Sequence, residues 1–167
     1  MTLQELNHLS PDKLEETLYR CCGSAQWVQN MLPQFPMEDL VELLDAAEEQ
    51  WQKCKEEHWK EAFSQHPRIG EKKDIESAGA TAQWAANEQA GIDDADKETM
   101  EALKEANRRY YQKFGYIFIV CATSLSAEEM LARVIARIKN EPDEEIRIAS
   151  EEQNRITKLR LKKLLEE

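Results

Sequence analysis

The chain has 167 residues, 41% of them apolar, which suffices for one hydrophobic core and fits a single domain over residues 1–167. Its formal charge of −11 and pI near 4.9 argue against a nucleic-acid partner, which wants a basic stripe. No apolar run reaches the roughly 18 residues of a membrane span, and the start MTLQELNHLS lacks the basic-then-apolar pattern of a secretory leader.

Five glycines and five prolines punctuate stretches of helical periodicity. Ser10-Pro11 is an N-cap and first-turn pair that opens a helix through Leu14, Leu18 and Cys21, with Gly23 expected to close it. Ser24 caps a short helix that turns Trp27, Val28 and Met31 inward. The stretch MEDLVELLDAAEEQWQKCK is amphipathic, with Leu40, Leu43, Leu44, Ala47 and Trp51 on one face, and EEHWKEAFSQ is a further helix. His66-Pro67 ends it, because proline disfavours helical backbone in the residue before it. A charged loop at 67–78 leads to the short helix TAQWAANEQAG, and residues 96–113 form a longer one that ends at Gly115. Ser126 and Glu129 make a capping box ahead of MLARVIARIKN, and Pro142 suits the first turn of a last helix to about Leu165. The pattern predicts an all-α, single-domain bundle of roughly seven to nine helices.

The stretch FGYIFIVCA, residues 114–122, breaks that pattern. It is continuously apolar and preceded by glycine, yet no second strand offers itself as a partner. An extended or partly helical segment threading the core is expected, its backbone groups finding partners outside a sheet, a ligand among the candidates.

Titratable residues supply several weak constellations. Cys54 and His58 stand at i, i+4 on one helix with His66 eight residues further, but a structural zinc site needs four ligands, and the adjacent pair Cys21-Cys22 does not complete one. The expectation is no metal, with Cys54 in the core and His58 at the surface. Cys21, Cys22, Cys54 and Cys121 have no disulfide-framework spacing, which points to a reduced, cytoplasmic chain, and the apolar neighbours of Cys121 argue for an inert thiol. Glu88 and Gln89 would ordinarily face solvent at the end of a short helix. Arg160 in RITKLRLKKLL reads by itself as part of a solvated basic stripe, and His66 as a histidine favoured at a helix end by the dipole. Together a histidine, a carboxylate, an amide and an arginine can make an acid/base site, although spacing alone does not bring them together.

The segments LNHLSPDKLEETLYRCCGSAQWVQNM, HWKEAFSQHPRIG, ANEQAG, KFGYIFIVCA and EEQNRITKLRL, in this order, resemble the decarboxylases of 2-oxo-4-hydroxy-4-carboxy-5-ureidoimidazoline (OHCU). The resemblance covers nearly the whole chain. It implies an all-helical, cofactor-free enzyme, a homodimer, and the step that yields (S)-allantoin in urate degradation. It also implies a site: the histidine of the family's His-Pro motif falls on His66 with Pro67 beside it, and the Glu-Gln pair on Glu88 and Gln89. The site-lining Phe-Ile falls on Phe118 and Ile119, which offer backbone contacts, and the C-terminal arginine on Arg160. Three positions depart from the family pattern. Ala85 stands where serine is frequent, Ile117 where proline is frequent, and Ser124-Leu125 where many relatives have glycine-lysine.

The residue types suit the implied chemistry. The substrate carries a hydroxyl and a carboxylate on one ring carbon beside a ring C=N, so it accepts the electron pair that departing CO2 leaves behind. His66 is then the proton-transfer group, Glu88 its carboxylate partner or a ureido acceptor, Gln89 an amide for the ureido or ring groups, and Arg160 a two-point grip. Phe118 and Ile119 keep the site dry. An acidic helical binding module and a catalytically lapsed relative are the alternatives, the second motivated by Ala85 and Ser124-Leu125.

Overall fold

Short polar residues start most of the helices. Ser10 accepts the Lys13 N–H at 3.4 Å with Pro11 in the first turn, and Asp39, Asp96 and Ser126 accept the N–H groups of Glu42, Thr99 and Glu129. Thr2 and Glu5 close a reciprocal capping box at the very start, which creates a first short helix that apolar periodicity did not predict. The computed structural model describes residues 1–68, 82–90 and 96–166. Among these the chain is all-α with no strand. The helices are α1 (Leu3–Asn7), α2 (Pro11–Cys21), α3 (Ala25–Met31), α4 (Leu40–Gln52), α5 (Glu56–Ser64), α6 (Ala82–Glu88), α7 (Lys97–Phe114), α8 (Ala127–Ile138) and α9 (Pro142–Glu166). Gly23 plays no left-handed role, since Cys22 ends α2 in an extended conformation. Gly115 does: it takes φ +82° and donates its N–H to Tyr111 O at 2.8 Å, stopping α7.

The contacts divide the chain into two compact units, residues 1–62 with 153–167 and residues 63–152. In the first, Leu6, Leu18, Trp27, Met31, Leu43 and Leu161 are fully buried. The Trp27 indole N–H donates to Ala47 O at 3.0 Å, which ties α3 to α4 without an orphaned polar atom. The end of α9 joins the same unit through Asn154 and Lys158, both bonded to the Glu48 carboxylate.

The second unit is built on α7 and α8, with the beginning of α9 and the segment that follows Gly115. That segment forms neither strand nor helix, yet Tyr116, Phe118, Ile119, Val120 and Ala122 are all buried. Its rings interlock. Phe63 meets Tyr116 at 5.2 Å, Tyr116 meets Tyr110 at 5.9 Å, and Tyr110 meets Phe118 edge-on at 5.3 Å. Of the two forms expected for this core-threading segment, extended or partly helical, it is not the helical one, and aromatics pack it in place of a ladder.

Candidate active site

His66 follows α5 by two residues and is half-buried, its backbone N–H donating to Phe63 O at 3.2 Å. One turn back, the Phe63 ring begins the aromatic chain that ends on Phe118. This hydrogen bond and the ring contacts together link the end of α5 and His66 to the 116–118 segment, with half-buried Pro67 beside His66. Phe118 and Ile119 are 3% and 2% exposed, which no solvent-facing segment would allow.

Short helix α6 ends at Glu88. Trp84, Ala85 and Gln89 are buried and Glu88 is half-buried. Ala85 and Gln89 lie four residues apart on one face, and the Gln89 N–H continues the helical pattern to Ala85 O at 3.2 Å. The amide thus turns inward, against the ordinary expectation for a polar residue at such a helix end. Ala85, where serine is frequent in the resembling family, sits in the same buried face.

Arg160 belongs to the first unit. It is 5% exposed and donates to the Arg20 carbonyl at 3.3 Å, so the last residues of α2 orient it and it is no part of a solvated stripe. The six other predicted residues fall in the second unit.

A cleft of about 510 Å³ within that second unit is lined by Arg68, Lys104, Arg108, Tyr111, Ile117 and Phe118 among others. The Arg68 guanidinium lies 5.4 Å from the Tyr111 ring centre. Arg108 is held by Glu105, whose exposed carboxyl is drawn down to about 2, first by its hydrogen bonds with that guanidinium. Of the predicted residues, Phe118 lines this cleft; Ile117, the position where proline is frequent in the resembling family, lines it too.

One buried cluster against residues 118 and 119 leaves no mark in the sequence pattern. Glu145, fully buried, accepts from Arg137 Nε at 3.0 Å and Nη2 at 2.6 Å, from Asn140 Nδ2 at 3.1 Å, and from the Tyr110 hydroxyl. Arg137 then reaches the Ile119 carbonyl through Nη1 at 2.6 Å and lies 4.4 Å from the Phe118 ring centre. Burial and the Glu145 carboxylate keep the Tyr110 hydroxyl protonated. Two residues further along the segment the Cys121 N–H donates to Glu152 at 3.3 Å. Arg137 and Glu145 are eight residues apart on two helices, and no periodicity announces that they meet.

Among the described residues no three His, Cys, Asp or Glu side chains gather to hold a metal. Cys54 donates to Gln50 O, and His58 accepts the Lys55 N–H at 3.0 Å, so both serve local structure. Burial pushes the thiols of Cys21 and Cys22 up to about 12, and all four cysteines are free.

The family model described as OHCU decarboxylase matches residues 7–162. Over 145 residues, 86% of this chain, the sequence is 33% identical to the uric acid degradation bifunctional protein TTL of Arabidopsis thaliana, of which it covers 45%. It is 31% identical over 102 residues to the 2-oxo-4-hydroxy-4-carboxy-5-ureidoimidazoline decarboxylase of Amia calva, covering 60% of this chain and 58% of that protein. The chain therefore spans about half the length of these curated relatives. A crystal structure of OHCU decarboxylase in the presence of (S)-allantoin is similar at a TM-score of 0.76 and 32% identity, covering 92% of this chain and 99% of that one.

Proposed function

The chain belongs to the OHCU decarboxylase family, and from that premise we propose that it converts OHCU to (S)-allantoin and CO2 without a cofactor, as a step of urate degradation. The observation that supports this most is the end-to-end likeness to the solved decarboxylase. The substrate is a small molecule that supplies its own electron sink. The bond between the ring carbon and its carboxylate breaks, and the pair forms a double bond to the neighbouring ring carbon while the C=N pair moves to nitrogen, which takes a proton. The resulting enol loses its hydroxyl proton to become the ring carbonyl, and the carbon bearing the ureido group gains one. In sum, a carboxylate is replaced by a proton.

His66 moves those protons. Imidazole as a side-chain type can both take and give a proton near neutral pH, and such general acid–base work contributes roughly 10²–10⁴-fold. Glu88 holds the imidazole tautomer or a ureido N–H, and Gln89 reads the ureido or ring amide with one donor and one acceptor. Arg160 grips a carboxylate or carbonyl oxygen by charge-assisted bonds. Pro67, Phe118 and Ile119 line the site, and the buried rings favour release of neutral CO2 over retention of a charged carboxylate. The family resemblance further implies a homodimer, checked by sedimentation, and the four free cysteines fit the reducing cytoplasm.

The test is to generate OHCU from urate with urate oxidase and hydroxyisourate hydrolase, add the protein with a chelator present, and follow circular dichroism. Formation of (S)-allantoin in excess over the racemic spontaneous product is expected. Racemic allantoin at the spontaneous rate would refute the assignment.

A further inference from the structure

The Arg137 guanidinium spends each of its edges on a different neighbour. Nε and Nη2 grip the Glu145 carboxylate, which is fully buried and itself held by Tyr110 and Asn140. Such a two-bond grip fixes the guanidinium plane, which a lysine ammonium could not do. The remaining nitrogen, Nη1, donates to the Ile119 carbonyl at 2.6 Å, and the guanidinium carbon stands 4.4 Å from the Phe118 ring centre. Ile119 has no ladder or helix to hold its carbonyl, so this bond takes the place of secondary structure.

The consequence reaches the other end of the same peptide. In a trans peptide unit the C=O and the following N–H point in opposite directions. Turning the Ile119 carbonyl toward Arg137 therefore turns the Val120 N–H away from it. Val120 is buried, and among the described residues nothing accepts that N–H. A buried backbone donor of fixed direction in a segment of the candidate site is suited to a ligand oxygen.

We propose that Arg137 is a positioning residue for the decarboxylation: anchored by Glu145, it sets the peptide plane at Ile119 and the ring of Phe118 so that this backbone faces the substrate in one orientation. The role rests on the functional reading above. It assigns Arg137 no contact with the reacting atoms; its effect passes through the backbone it holds.

The experiment compares Arg137→Lys with Leu103→Ala, a core truncation at a fully buried position of α7. Arg137→Lys keeps the charge beside Glu145 but cannot hold both the carboxylate and the carbonyl. Its KM for OHCU should rise roughly tenfold with kcat changed less than about threefold, the loss expected for one misdirected hydrogen bond. Leu103→Ala should melt earlier and keep its KM. If Arg137→Lys does not fold, the paired variant Arg137→Gln with Glu145→Gln leaves no buried charge unmatched, and the same rise in KM is expected of it. An unmoved KM in the folded Arg137 variant, or a rise in Leu103→Ala that follows its melting loss, would overturn the role. If the unaltered protein makes no excess of (S)-allantoin, the functional reading fails and the role fails with it. Turnover by the unaltered protein with an unmoved KM in the variant removes the role alone.

Discussion

His66 and Ser124 are the two single positions where local backbone and implied chemistry meet most sharply. His66 lies two residues past α5 with its backbone N–H bonded to Phe63 O, so a change of side chain need not disturb the helix. His66→Asn should remain folded and lose at least about two orders of magnitude in kcat. Were the residue only a helix-end cation, the cost would be about 0.3–1 kcal/mol of stability with turnover intact. Turnover by the folded variant decides between them. Ser124 takes φ +69°, a left-handed conformation that disfavours side chains by roughly 1–2 kcal/mol, at the position where many members of the resembling family carry glycine. Ser124→Gly removes that strain at some cost in unfolded-state entropy, for an expected net gain of about 0.5–1 kcal/mol. A thermal melt should show a midpoint roughly 1–4 °C higher.

At the scale of elements, the start of α9 and the end of α8 are joined by the buried carboxylate of Glu145. Removing one of its donors tests how much that junction contributes. Tyr110→Phe keeps the ring that packs on Phe118 and deletes only the hydroxyl, and a hydrogen bond to a charged group contributes about 1.5–3 kcal/mol. Denaturant unfolding should show a loss in that range; a loss under about 0.5 kcal/mol would mean that Arg137 and Asn140 satisfy the carboxylate without it. The elements themselves were legible from caps and glycines: Ser10-Pro11, the Ser126–Glu129 box and Gly115 all act as their chemistry predicts. The buried, ladder-free course of residues 116–122 was legible too, because a lone apolar run without a second strand has few other places to go. Helix α1 escaped notice because five residues carry too little apolar periodicity, although Thr2-x-x-Glu5 spelled its cap. The Arg137–Glu145 pair was not legible at all: its meaning lies in burial, and burial of a charge is decided by tertiary contacts that no local pattern encodes. The same holds for Gln89 and Arg160, whose inward placement depends on what packs over them. The loop predicted at 67–78 lies mostly outside the described residues.

For the whole molecule, an acidic surface and buried neutral thiols set the response to pH. Cys21 and Cys22 stay protonated in the folded chain up to about 12, whereas an unfolded thiol ionises near 8.5. Their folded values are raised, so their contribution is fully present below the unfolded pKa and is lost as pH climbs from about 8.5 toward the folded value. The slope is about 1.4 kcal/mol per pH unit for each thiol in that window. Melting midpoints measured from pH 7 to 10 should fall above pH 8.5, and Cys22→Ala should flatten the fall; an equal slope in the variant would assign it to other groups. The division of the chain also bears on the order in which it folds. One unit is a single stretch, residues 63–152, whereas the other is made of residues 1–62 with the final 153–167. A ribosome delivers the contiguous stretch complete while the first unit still lacks the end of α9, with Ile156, Leu161 and Leu164. Local contacts form with less loop-closure cost than distant ones. Pulse-labelled hydrogen exchange during refolding should therefore protect the amides of α7 and α8 before those of α2 to α4, so that residues 63–152 become native ahead of the unit that precedes them along the chain.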